Sequence, residues 1–369
     1  MKFTCEKSLL VSAISVASRT VAQKSAISAL EGIHVKAGMF LYLSGYNLET
    51  GITVTVPADI PEYGECIMPA RLFFDIIRKL PDDEVTVSVD DNFRVSIRSG
   101  IAAFTITASS AEDYPELPDV EYHNAIKLPQ RELRDMISGT LFAVSDNQAR
   151  PIHTGALLQV AYDSITMVAV DGYRMALRRW FPEESTERIL KVVVPAPALK
   201  EVEKILLDTD EPAAFTLGRK HILFEMNGVS LVCRTLEGFF LEWEKVLPTD
   251  NPIKLVANRS RLTQSIDRVG LIISEKIKTP VRCRFGENMV DFTTTSTIGT
   301  AHDVCELSGD GKELEIGFNC RFFLEALKAV PTDEVTLELN HGLSPIVLTP
   351  CDDSRKFAYM VLPVRLKAE

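Results

Sequence analysis

The fold expected of this 369-residue chain is α+β, built as three tandem copies of one domain, each made of two βαβββ half-units. Two observations carry the expectation. Residues 66–99, 192–233 and 314–350 share one plan: a strand-like entry, a short amphipathic helix, an acidic turn and alternating runs. The helix starts at Pro69, Pro195 and Asn319 stand 126 and 124 residues apart. That period is a whole domain and too long for a solenoid unit. Independently, the strand-then-helix opening at Lys2 recurs at Ile126 and at Ile253.

In the first copy the elements follow in order. A strand over 2–5 leads into a helix over 7–22, whose Leu9, Leu10, Ala13, Ile14 and Ala17 recur at helical spacing. A cleaved leader would not be written three times, so this segment is expected to be structural. Alternating runs at 32–36, 39–44 and 51–56 complete the first half-unit. The second half-unit has a strand into Pro69, a helix to Leu80, and strands at 84–89, 93–98 and 102–107. Such alternation of periods suits helices laid on one face of largely antiparallel sheets. Acidic, proline-rich punctuation at 111–121 and 247–252 sets expected domains at 1–121, 122–249 and 250–369.

With 46% hydrophobic and 25% charged residues, the chain is expected to bury large cores. The seven cysteines form no CxxC pair and lie mostly in apolar runs, which predicts reduced core cysteines of a cytoplasmic protein. The six histidines are dispersed, so neither a metal site nor a cofactor is expected. No GxSxG, HExxH, P-loop or GxGxxG stands in a supporting context, which argues against an enzyme. No apolar run is long enough to span a bilayer, so no membrane partner is expected. The net charge of −11 argues against affinity built on nucleic-acid phosphates.

The helices nonetheless carry basic pairs. Arg71 and Arg78, Arg261 and Arg268, and Arg321 and Lys328 are each seven apart, one stripe per helix; Lys200 with Lys204 and Arg131 with Arg134 are closer versions. The apolar stripes, such as Phe73, Ile76 and Ile77, or Leu133, Met136 and Ile137, or Phe323, Ala326 and Leu327, lie on other faces. Acids on the same helices, including Asp75, Glu201, Asp267 and Glu325, fit a plain solvated face. Repetition over five helices fits a common basic surface.

The threefold repeat, RPIHTG at 150–155, VDGYRMA at 170–176, GFNCRFFLEAL at 317–327 and YMVLPVRL at 359–366 together resemble the bacterial DNA polymerase III β subunits, the replicative sliding clamps. The resemblance runs the length of the chain. It implies a homodimer closed into a ring, with helices lining the hole, sheets outside and double-stranded DNA passing through. A ring retains DNA topologically, so weak, mobile phosphate contacts suffice and the acidic charge ceases to be an objection. DNA-facing residues under this reading are Lys24, Arg71, Arg78, Asn147, Lys200, Arg261, Arg268, Arg321 and Lys328. The family's basic pair ahead of the second helix of domain two is Ala196 and Pro197 here, and Lys200 stands one turn on.

The resemblance also implies a pocket for short linear motifs of the replicative polymerase, the clamp loader and repair polymerases. Its members would be Arg150, His153, Gly155, Val170, Gly172, Tyr173, Arg174, Met175, Leu241, Lys245, Val246, Met360, Val361, Leu362, Pro363, Val364, Arg365 and Leu366. Burying a leucine and an aromatic side chain in such a groove, at roughly 1.5 to 3 kcal/mol each, supports micromolar binding. The chain departs from the family at His153, usually apolar, at Leu241, often Pro, at Lys245, often Arg, and at Tyr173, often His. Protonation of His153 below about pH 6.5 is expected to weaken apolar peptide binding. Asp171 is expected to cap a turn. The tail at 360–366 is either a terminal strand tucked against the sheet or, as the resemblance implies, a groove lining; Pro363 prevents it from being a central strand throughout. The resemblance places the dimer contact at Leu72 and Phe74 against Ile272 and Ile273, residues equally suited to a core. A repeat-built scaffold without DNA encirclement is the other function class compatible with the pattern.

Overall fold

The computed structural model describes residues 1–81, 84–120, 125–185, 189–273, 279–352 and 354–366. They fold as two compact units: Met1–Arg134 with Pro197–Thr235, and Asp135–Ala196 with the chain from Leu236 onward. The expected boundary at 121/122 lies outside the described residues.

The first unit holds two antiparallel sheets. In the five-stranded sheet, strands Asp59–Glu62, Lys2–Glu6, Glu84–Val89, Arg94–Ser99 and Ala102–Thr107 lie in that spatial order. The eight-stranded sheet joins the three strands Pro212–Leu217, His221–Met226 and Val229–Arg234 to Thr50–Val56 through the register Val229↔Val54. Burial alternates along the strands: Val85 and Val87 are buried, whereas Thr86 and Ser88 are not.

Helix α1 (Lys7–Ala17) buries Leu10, Ala13, Ile14 and Ala17, and α2 (Ala70–Lys79) buries Phe73, Ile76 and Ile77. Two expectations for α1 fail. It stops at Ala17 rather than residue 22, because the chain tightens into a 3₁₀ turn at Ser18–Thr20. Leu9 sits off the stripe and is exposed. The strand Asp59–Glu62 also adds to the expected half-unit.

Helix α3 (Gln130–Ser138) opens the middle copy, and α4 (Ala196–Ile205) follows Pro195 as the repeat predicts. The short α5 (Trp243–Val246) closes that copy. In the second unit, α6 (Arg259–Gly270) and α7 (Cys320–Ala329) pack together. Each begins at an asparagine cap: Asn258 Oδ1 accepts the Arg261 N–H, and Asn319 Oδ1 accepts the Phe322 N–H. The buried stripe of α7 is Phe323, Ala326 and Leu327, as its spacing requires.

The second unit's sheet runs from Leu190–Pro195 through Gly155–Val160, Ile165–Val170, Arg174–Trp180, Phe357–Val361, Ile346–Thr349, Glu334–Leu339 and Ile253–Asn258 to a long hairpin of Val281–Ser296 and Gly299–Phe318. The expected strand before α7 is only the end of that second long strand. Positive φ at Gly309, Lys312 and Glu313 bulges it, so its two ends keep separate registers, Glu306 on Met289 and Leu314 on Phe285.

The cysteines are all free; five are buried and Cys320 is half-buried, but Cys351 is exposed, against the expectation of a core position. It lies at a bend beyond the strand Ile346–Thr349, so its preceding apolar run does not carry it inward.

Candidate functional site

The expected pocket residues all belong to the second unit. Their frame is the turn between strands Ile165–Val170 and Arg174–Trp180. Asp171 Oδ1 accepts the N–H groups of Tyr173 (2.8 Å) and Arg174 (3.0 Å), the turn-capping role expected of it. Gly172 takes φ +92° with open space where a side chain would stand.

Arg174 is almost wholly buried. It is 5% exposed, donates from Nε to Asp171 Oδ2 at 2.9 Å and from Nη1 to Glu325, and lies over the rings of Phe322 (4.5 Å) and Phe142 (5.4 Å). Burial raises the Glu325 carboxyl, yet the Arg174 and Arg321 guanidinium groups together bring it below its ordinary value. Arg174 therefore braces the site from beneath. Tyr173, 64% exposed, stacks on Phe322 with ring centres 5.9 Å apart.

The tail combines both sequence readings. Met360 and Val361 are buried in the strand Phe357–Val361, which lies between Arg174–Trp180 and Ile346–Thr349 and so is central there. Pro363 ends that run. The Leu362 N–H donates to the Tyr173 carbonyl at 2.9 Å, and Pro363–Val364 pair with Phe318 and Gly317. The tail is thus docked rather than free, while Leu362 and Arg365 remain exposed and Leu366 packs close to Gly317.

Val170, Met175 and Met360 share one buried cluster with Val168, Leu177, Val347, Phe240 and Trp243, and Leu241 and Ile152 pack onto it. His153 meets Phe240 edge-on at 5.7 Å. Burial, with the neighbouring Arg150 charge, lowers the His153 pKa from its ordinary value, so protonation sets in at lower pH than the 6.5 expected from sequence. Gly155 is buried at the start of its strand, where a Cβ would lie 2.3 Å from the Val194 carbonyl oxygen. Arg150 is exposed ahead of a 3₁₀ turn at Pro151–Thr154; Lys245, bonded to Glu242, and Val246 are exposed on α5.

Sequence reasoning missed Phe322, Phe240 and Trp243. Phe322 is an aromatic residue one position off the buried stripe of α7, and that misplacement was its signal. The Phe239–Phe240 pair left a comparable one, since Phe239 is 78% exposed.

The expected DNA-facing residues are all exposed. Lys24, Arg71, Arg78 and Lys200 lie in the first unit, and Asn147, Arg261, Arg268, Arg321 and Lys328 in the second. Four have acidic partners: Arg78 with Asp75 (3.2 Å), Arg261 with Glu306 (2.9 Å), Arg268 with Asp303 and Arg321 with Glu325 (2.9 Å). The Arg268 hydrogen bond holds the Asp303 carboxyl below its ordinary range. Of the expected dimer residues, Leu72 is exposed and Phe74 lies beneath Arg78 at 5.4 Å, while Ile272 and Ile273 are half-buried.

Three family descriptions match consecutive stretches of the chain. They are the DNA polymerase III beta subunit N-terminal domain over residues 1–118, its central domain over 127–242 and its C-terminal domain over 244–365. The beta sliding clamp of Staphylococcus epidermidis is 30% identical over 376 residues, covering 99% of each chain. The DNA polymerase sliding clamp from Bacillus subtilis superposes with a TM-score of 0.94 at 29% identity over 100% of both chains. The beta subunit from the DNA polymerase of Streptococcus pyogenes gives 0.93 at 27% identity, over 99% of this chain and 100% of its own.

Proposed function

The chain belongs to the DNA polymerase III beta subunit family, and from that premise we propose that it is a sliding-clamp processivity factor, tethering a polymerase to duplex DNA without chemistry of its own. The observation that carries this reading is the end-to-end match of three successive clamp domains. We take their bounds as 1–121, 122–249 and 250–369.

Two copies close into a ring. Sheet edges unpaired among the described residues support this: Ala102–Thr107 ends the five-stranded sheet of the first unit, with Ala103, Phe104 and Thr105 exposed, and Val281–Ser296 ends the large sheet of the second. An open edge is a template for another chain, and head-to-tail pairing of the two different edges generates a closed dimer. Leu72, Phe74, Ile272 and Ile273 supply apolar contacts beside it.

Inward basic residues touch phosphates lightly. The intramolecular acidic partners of Arg78, Arg261, Arg268 and Arg321 make those contacts exchangeable, which suits sliding over holding. Polymerase, loader and repair polymerases dock short motifs on the bed of Val170, Met175, Met360 and Leu241, with Tyr173 and Leu362 at its surface. The work is cytoplasmic, where a bacterial template lies. A scaffold without encirclement lacks comparable support.

The test changes Arg71, Arg78, Arg261 and Arg268 together to alanine and measures processive synthesis on primed circular DNA with the polymerase and loader. Synthesis per binding event is expected to fall by about tenfold at physiological salt, as four phosphate contacts vanish from each protomer of the ring. Unchanged loading and processivity would contradict the role given to these residues.

A further inference from the structure

The second unit carries an open cavity of about 490 Å³ lined by none of the expected site residues. Small-molecule sites span roughly 300 to 1,000 Å³. The apolar part of its lining is Leu177, Val347 and Ala358 of the sheet together with Trp243 and Leu247, which pack on the same cluster. Arg179 follows Leu177 on the same face of its strand. Its Nε donates to Thr166 Oγ1 at 3.2 Å, and its guanidinium lies 5.7 Å from the ring centre of Trp243 and 5.9 Å from that of Phe181. Its backbone N–H donates to the Lys356 carbonyl at 2.8 Å, which brings Arg355 alongside, and Arg355 lines the same cavity.

The acids of the lining are engaged elsewhere. Glu338 faces Lys254 at 3.7 Å and accepts from the Asn251 amide at 3.3 Å, Glu244 faces Lys191 at 3.5 Å, and Asp352 accepts from the Ser354 backbone N–H at 3.1 Å. Among the described residues, neither Arg179 nor Arg355 has a carboxylate within ion-pair distance. Burial, joined by the charge of Arg355, outweighs the pull of Asp163 and Glu244 and lowers the pKa of Arg179. Two guanidinium groups thus stand in a partly apolar lining whose three carboxylates are held by other partners.

We propose that this cavity binds a small anion with a flat apolar body, an aromatic carboxylate, its carboxylate held by Arg179 and Arg355 and its ring lying along the apolar lining beside Trp243. Arg forks recognise carboxylates bidentately, and the indole edge adds apolar surface beside them. The site adjoins the peptide-binding bed, sharing the buried cluster of Leu177, Val347 and Trp243 with it, but none of the expected peptide contacts lines it, and its test involves neither DNA nor peptide.

Cys351 lines the cavity and is the exposed one of the seven cysteines, so its alkylation reports occupancy. The full chain is treated with iodoacetamide in the presence of 2-naphthoate or the uncharged 2-naphthamide, and Cys351 modification is followed by mass spectrometry. At about ten times its half-protecting concentration, 2-naphthoate should slow the reaction about tenfold, with the amide far less effective. Arg355→Ala, at an exposed position, and Arg179→Lys, which keeps the charge but loses the fork, should each raise the half-protecting concentration at least about tenfold. Thermal melts of both variants verify folding. No protection, equal protection by acid and amide, or an unchanged half-protecting concentration in either folded variant would overturn the proposal.

Discussion

Removing the Arg174 guanidinium leaves two acids and two aromatic rings without their common partner. Arg174→Met is therefore expected to lower the unfolding free energy by about 3 kcal/mol in urea titrations, the range seen when one member of a buried pair is lost. A change within about 0.5 kcal/mol would show that the network is not what braces the turn. The sign with pH follows from Glu325. Its folded pKa is depressed, so its contribution is complete above its ordinary value and is lost as pH falls through the folded one. The variant should lose that part of the acid sensitivity. His153 runs in parallel with its own window: its lowered pKa keeps it neutral from pH 8 to the ordinary value, and the unfolded chain takes up the proton first below that. Peptide affinity should stay flat down to about pH 6.5 and weaken only below it. An NMR titration of the His153 ring with a midpoint at or above 6.5 would contradict this. At this scale sequence reasoning reached what is local. Asp171 was legible because an Asx turn needs only its neighbours, whereas the Arg174–Glu325 pair spans 151 positions and no local pattern announces it.

Among the elements, helices α2 and α7 were legible because a 3.6-residue period leaves a readable stripe, and their buried residues are the ones that period selects. The hairpin of Val281–Ser296 and Gly299–Phe318 was not. Its bulge depends on left-handed φ at Lys312 and Glu313, which their residue types do not announce. The tail was half legible, since Pro363 fixed where central pairing ends but not which strand takes up the remainder. Glycines in the two elements framing the site give a graded test. In Gly155→Ala the new Cβ meets the Val194 carbonyl oxygen at 2.3 Å and Leu236 at 2.9 Å, a clash expected to cost about 2 kcal/mol or more. Gly172→Ala enters open space and bears only the penalty of φ +92°, about 1 kcal/mol. Equal losses in urea titrations, or the reverse order, would contradict the strand packing described.

At the scale of the molecule, three repeats yield two compact units because the sheets do not respect the repeat. Hydrogen bonding continues from the first copy to the second at Val54↔Val229 and from the second to the third at Arg174↔Val361. The period of the helix starts could reveal the copies, but pairing between copies depends on long-range register that the spacing does not encode. The open edges were invisible for the same reason: an alternating run reads alike at the centre and at the edge of a sheet. The proposed function rests on closure of those edges into a dimer and on encirclement of DNA by it. The direct measurement loads the protein with its loader onto nicked circular duplex, washes in high salt, and then cuts the circle with a restriction enzyme. A dimer is expected to survive the wash on the circle and to leave within minutes of linearisation. Loss in the wash from circle and linear DNA alike, or retention after the cut, would contradict it.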